Sequence, residues 1–140
     1  MKHILDNPTI PPLLLQCLDA ILMDVSAPQI ATHLTLNFRH TDYLMTRQGI
    51  HPVEIRLESI DDKWSVVFVA SFSYSSEEDK QVSPELYFNF KYGWFCQPDI
   101  KTCDLAHPEV TSLLESWSRA FGACLYQQLF DDIGITATKP

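Results

Sequence analysis

The stretch HPVEIRLE, residues 51–58, alternates without a break: Val53, Ile55 and Leu57 fall on one side, Glu54, Arg56 and Glu58 on the other. Successive side chains of a β-strand point to opposite faces, so this period of two describes a strand with one dry face and one wet face. Strands of purely parallel sheets are buried on both faces and read as continuous apolar runs. The stretch therefore predicts an antiparallel sheet, with Val53, Ile55 and Leu57 against a core and a charged row turned away from it.

Both neighbouring segments carry the same period. Upstream, Leu34, Leu36 and Phe38 alternate with Thr35, Asn37 and Arg39, and the loop TDYLMTRQG (41–49) connects that strand to the opening stretch. Downstream, a turn at Asp61, Asp62 and Lys63 leads into WSVVFVASFSY (64–74), in which Trp64, Val66, Phe68, Ala70 and Phe72 are assigned to one face. The pair reads as a hairpin. Residues 75–85 are polar, contain a proline and read as an exposed connection. The run LYFNFKYGWF (86–95) resumes strand character, with Leu86, Phe88 and Phe90 on one face and Tyr87 and Phe95 on the other.

Helical spacing brackets these strands. Leu14, Cys17, Leu18, Ile21, Leu22 and Val25 recur at steps of three and four after Pro11 and Pro12, and the breaker SAPQ (26–29) ends the run. Pro108 opens a second helix with a stripe of Val110, Leu113, Leu114, Trp117, Phe121, Cys124 and Leu125. The tail DDIGITAT (131–138) suits a short final strand. The order α-β-β-β-β-α-β belongs to the α+β class: one domain over 1–140, a curved, mainly antiparallel sheet packed against two helices.

Composition removes several classes of function. Eighteen acidic against ten basic residues give a formal charge of −8, with no basic cluster, which opposes nucleic-acid backbones and anionic lipid. Acidic residues such as Glu77, Glu78 and Asp79 sit in a turn rather than in an ordered array, so mimicry of nucleic acid is not indicated. The start MKHILDNPTI lacks a basic segment, a long apolar run and a cleavage site, which leads to the expectation of a cytoplasmic protein. The apolar run 10–25 is too short for a bilayer and contains Asp19 and Asp24, so it is read as a core helix. Cys17, Cys96, Cys103 and Cys124 form no CxxC pair, and reduced thiols are expected.

No cofactor, metal or catalytic residue is assigned. His40, Asp42 and His51 straddle a loop without the tight spacing that preorganises a metal site. Cys103 and His107 stand four residues apart, but Pro108 starts a helix, which puts His107 at its boundary in a capping or surface role rather than as the partner of a nucleophile. The four glycines are far apart and build no phosphate loop.

Asn37-Phe38-Arg39, Tyr43, Gly49, HPVEIRLE, Asp61, Asp62 and Trp64 together resemble an uncharacterised bacterial family, domain-of-unknown-function family 2787, most specifically over residues 36–74. Where members often carry an acidic residue after NFR and a Gly-Gly pair before HPVEIRL, this chain has His40 and Gln48. The resemblance implies a cystatin-like or nuclear-transport-factor-like roll and no activity, because fold does not specify chemistry.

Two functional readings follow. In the first, a non-enzymatic binding or interaction module presents the sheet-face patch Asn37, Arg39, Glu54, Arg56 and Glu58 to a protein or small ligand, with a weak homodimer expected through the aromatic fourth strand. In the second, a small roll-fold enzyme uses Glu54 or Glu58 as acid or base in a pocket between sheet and helices. The alternation turns both carboxylates away from the core and favours binding. The plainest role of the same row is a solvated ladder in which Arg39 pairs with Glu54 or Glu58.

Overall fold

The computed structural model describes residues 3–24, 31–98 and 100–138, with backbone alone at 100 and 101. Val25 and the breaker at 26–29 lie outside the described residues. The elements run α1 (Pro12–Met23), β1 (His33–Arg39), α2 (Thr41–Thr46), β2 (Val53–Ile60), β3 (Lys63–Ser73), β4 (Ser83–Asn89), β5 (Trp94–Gln97), β6 (Ile100–Asp104), α3 (Pro108–Tyr126) and β7 (Asp132–Thr138). Seven strands form one sheet in the order β6-β5-β4-β3-β2-β1-β7, and every adjacent pair is antiparallel. The α+β architecture read from the periodicities is present.

One face of the sheet makes the core. Leu34, Leu36 and Phe38 of β1 and Val53, Ile55 and Leu57 of β2 are buried, as their alternation requires. They pack with Leu14, Leu18 and Leu22 of α1 and with Val110, Leu114 and Phe121 of α3. Phe38 sits at the centre, its ring edge-on to Phe121 at 5.0 Å and tilted against Phe130 at 5.6 Å. His107 stands at the N-cap of α3, and its side chain accepts the Glu109 N–H at 3.2 Å. Of the two roles expected for it, capping is the one it fills.

Four details depart from the sequence reading. The loop 41–49 contains α2, six residues long and too short to display a helical period. The aromatic run 86–95 is two strands, because Asn89 Oδ1 accepts the Tyr92 N–H at 2.8 Å and Gly93 takes φ +80° to close a turn. That turn resets the alternation, so Phe95 lies opposite Phe88, their rings 4.9 Å apart, and is buried in the core rather than beside Tyr87. A further short strand, β6, follows, giving two more strands than the four-plus-one order expected.

The fourth departure is on β3. Arg56 pairs with Phe68 but Leu57 with Val66, which leaves Val67 as a bulge. Beyond it the facing is inverted: Val69 and Ser71 join Trp64 and Val66 on the core face, while Phe68 and Ala70 turn to the other. The face assigned to Trp64, Val66, Phe68, Ala70 and Phe72 is corrected accordingly.

Truncating Phe38 to Ala leaves a cavity between β1, α3 and Phe130, and the expected loss is about 3–5 kcal/mol in urea unfolding monitored by tryptophan fluorescence. No disulfide joins Cys17, Cys96, Cys103 and Cys124. Titration of the denatured, unreduced protein with a thiol reagent is expected to find four thiols; fewer would contradict this arrangement.

Candidate functional site

The face turned away from α1 and α3 collects the patch read from the sequence. Register places His33 opposite Glu58, Thr35 opposite Arg56 and Asn37 opposite Glu54, with Arg39 one step beyond the last pair. Asn37, Glu54, Arg56 and Glu58 thus share one face, and Arg39 stands at its end.

The ion pairs differ from the ladder expected. Arg39 Nη1 lies 3.6 Å from Asp132 Oδ2, since Asp132 is its direct partner on β7, and it pairs with neither Glu54 nor Glu58. Both side chains are about half exposed, at 49% and 57%, and such a pair contributes only ~0.2–1 kcal/mol. Glu58 receives Lys91 Nζ at 2.9 Å from the β4–β5 turn and lies 3.9 Å from His33 Nε2. The hydrogen bond and charge of Glu58 raise the Lys91 ammonium above the usual lysine value. Arg56, by contrast, is exposed and has no ion pair or side-chain hydrogen bond to a described residue.

Beyond Arg56 the face becomes aromatic. Phe68 is directly across from Arg56, and rings climb diagonally from there: Phe68 to Tyr87 at 5.0 Å and 31°, Tyr87 to Trp94 at 5.0 Å and 29°. All three are half-buried. Behind them Asn89 is 4% exposed and donates to the Tyr87 hydroxyl at 3.3 Å. The inverted facing after Val67 creates this row, which is why alternation alone misassigned Phe68.

A second polar group lies on the opposite face, in a cleft of about 170 Å³ between the sheet and α3. Glu85 Oε1 accepts from Ser71 Oγ at 2.7 Å and meets His51 Nδ1 at 2.7 Å. Ser71 pairs with Leu86 but Phe72 with Pro84, so Glu85 is itself the extra residue of a bulge. The bulge re-aims Glu85 toward the core face, whereas the sequence reading left it in the exposed connection 75–85. Pro84 was the available signal, since proline within a strand marks an edge or an irregularity. Glu54 and Glu58, the carboxylates considered for pocket chemistry, stand on the other side of the sheet. His40 Nδ1 lies 2.7 Å from the Leu129 carbonyl oxygen and its Nε2 3.8 Å from Asp42 Oδ2, while His51 turns to Glu85, so His40 and Asp42 meet but His51 does not join them. No group of three or more metal-ligating side chains occurs among the described residues.

A family model described as "Protein of unknown function (DUF2787)" matches residues 12–136, from the start of α1 into β7. The chain belongs to this family. Among solved structures it is similar to the hypothetical protein VC0508 from the VSP-II pathogenicity island of Vibrio cholerae, with a TM-score of 0.81, 24% identity and coverage of 98% of this chain and 100% of that one. It is also similar to the conserved hypothetical protein VC1805 from pathogenicity island VPI-2 of Vibrio cholerae, with a TM-score of 0.70, 25% identity and coverage of 97% and 98%. That protein is described as sharing structural homology with the human P32 protein. No curated protein matches the chain. In this DUF2787 member no helix among the described residues is long and apolar enough to cross a membrane.

The loop ahead of β2 backs onto the cleft through Tyr43 and His51. His40 packs on Gly49, where φ of +115° favours glycine and an added Cβ would come within 3.1 Å of the imidazole, which would have to shift by a few tenths of an ångström. Helix α2 begins where Asp131 Oδ1 accepts the Thr41 N–H at 2.8 Å, and it carries Tyr43, whose ring lies 4.5 Å from that of His51. The backbone and hydroxyl of Thr41 hold the Asp131 carboxyl below its ordinary value of 3.8. A lowered folded-state value means stabilisation that is present above 3.8 and lost as pH falls through the folded-state value. Asp131→Asn is therefore expected to lower the thermal midpoint at pH 7, and the gap to wild type should close in melts run progressively below pH 3.8.

Proposed function

We propose that this family member is a cytoplasmic, non-enzymatic binding module that takes an acidic group of a protein partner on its outer sheet face. The observation that carries the reading is Arg56: an exposed guanidinium without a described partner, set between Thr35 and the ring of Phe68. A planar fork of this kind is suited to a carboxylate, which it can hold through two parallel hydrogen bonds. The ladder of Phe68, Tyr87 and Trp94 offers an adjoining surface for an apolar or flat group of the same partner. Asn37 adds a neutral donor and acceptor, Arg39 a second cation at the rim, and Glu54 and Glu58 a repulsive border that disfavours densely charged anions. The net charge of −8 works in the same direction against nucleic acid.

The enzymatic reading with Glu54 or Glu58 has less support, because neither carboxylate faces the cleft and Glu58 is engaged by Lys91.

A displayed random-peptide library selected on the immobilised protein tests the proposal. Enriched sequences should carry Asp or Glu next to an aromatic or aliphatic residue. Arg56→Ala should weaken binding of an enriched peptide by about tenfold or more while the thermal midpoint stays within about 2 °C of wild type. Arg39→Ala should have the smaller effect, since Asp132 already occupies that guanidinium. Peptides without acidic residues, or acidic peptides that bind Arg56→Ala as tightly as wild type, would overturn it.

A further inference from the structure

The cleft on the core side has chemistry of its own that the outer face does not use. Its floor is the sheet, with Val53 and Leu86; its far wall is α3, with Trp117 and Phe121. At the rim stands the re-aimed carboxylate of Glu85, fastened at one oxygen by the Ser71 hydroxyl and the His51 ring. We propose that this cleft binds a small primary amine carried on a single aromatic ring, the ring lying against Leu86 and Trp117, which is itself stacked on Phe121 at 5.0 Å, and the ammonium on Glu85.

Three observations point to that class of ligand. Size comes first: a dry cavity of about 150 Å³ lined by apolar side chains accommodates benzene, and this cleft measures about 170 Å³. One ring with a short amino-alkyl tail is of this scale, and a nucleotide is far larger. Charge comes second. Both donors converge on Oε1 of Glu85, and no described group bonds Oε2, so a lone-pair-bearing oxygen is left for a ligand. An ammonium meets it with a charge-assisted hydrogen bond, and an anion is repelled. Burial pushes the Cys124 thiol up, so near neutral pH that wall is a neutral, apolar sulfur rather than a second negative charge.

Preorganisation is the third. Ser71 is 3% exposed and its hydroxyl donates to Glu85, while the Nδ1–H of His51 donates from the other side. Tyr43 supports the imidazole ring at 4.5 Å. The carboxylate is thus oriented before any ligand arrives, and little side-chain freedom is lost on binding. A bulge is needed to bring Glu85 to this face at all; an uninterrupted strand would send it outward.

The test is titration of the intact chain with 2-phenylethylamine, followed by calorimetry and by amide NMR shifts. 3-Phenylpropionate and 2-phenylethanol serve as the anionic and neutral counterparts. Saturable binding of the amine is expected, with shifts centred on His51, Ser71, Glu85 and Trp117 and weaker or no binding of the other two. Glu85→Gln keeps the shape and removes the charge; it should weaken the amine by about tenfold or more. Ala120→Leu, at an exposed position on the cleft rim, should occlude the site without disturbing the core, and circular dichroism should find it folded. Arg56→Ala, on the opposite face, should bind the amine like wild type. Absence of saturable binding into the millimolar range, equal affinity for the propionate or the alcohol, or full binding by a folded Ala120→Leu protein would each overturn the proposal.

Discussion

Two inserted residues, Val67 and Glu85, decide what each face of this sheet displays. In a regular ladder the side-chain period is two and a single choice of register sorts every residue to a face. Here β2 sets that choice, because Val53, Ile55 and Leu57 are all buried. Val67 then interrupts β3 and hands Val69 and Ser71 to the core side, and Glu85 interrupts β4 so that its carboxylate reaches Ser71. Were Val67 paired with Arg56 in an unbroken ladder, Phe68 would fall on the core side and Arg56 would lose its aromatic neighbour. Remove the second bulge and the cleft loses its only carboxylate among the described lining residues. The same backbone irregularity that disturbs the ladder therefore supplies both the aromatic row and the polar rim.

Legibility from sequence follows the same division. Strands β1 and β2, the stripe of α3 and the capping His107 were readable because each rests on a local rule: alternation, a step of three or four, or a residue just before a proline. The patch Asn37, Glu54, Arg56 and Glu58 was readable as one face for the same reason. What was not readable depends on contacts far along the chain. Lys91 reaches Glu58 across 33 residues, and Asp131 caps α2 across 90. No window of sequence contains either pair. The facing of Phe68 and Phe95 failed for an intermediate reason: a bulge or a tight turn shifts the count by one, and a shift of one inverts every subsequent assignment.

Position within the sheet explains why both faces can be held to a usable geometry. Arg56, Phe68 and Tyr87 belong to β2, β3 and β4, and so do Ser71, Glu85 and Leu86 at the cleft, with His51 two residues before β2 begins. These three strands lie inside the order β6-β5-β4-β3-β2-β1-β7, each hydrogen-bonded on both sides. Central strands move least, and side chains projecting from them are placed more accurately than side chains on loops. The edges β6 and β7 carry less: β7 is exposed along almost its whole length, including Ile133 and Ile135. Substitutions in β6 or β7 that preserve the sheet should thus act mainly on stability and solubility. The exception is Asp132, which stands on the edge yet holds Arg39 at 3.6 Å. Through that one pair the edge strand tempers the positive charge at the rim of the outer face, whereas Arg56, at the centre of the face, makes no ion pair with a described residue.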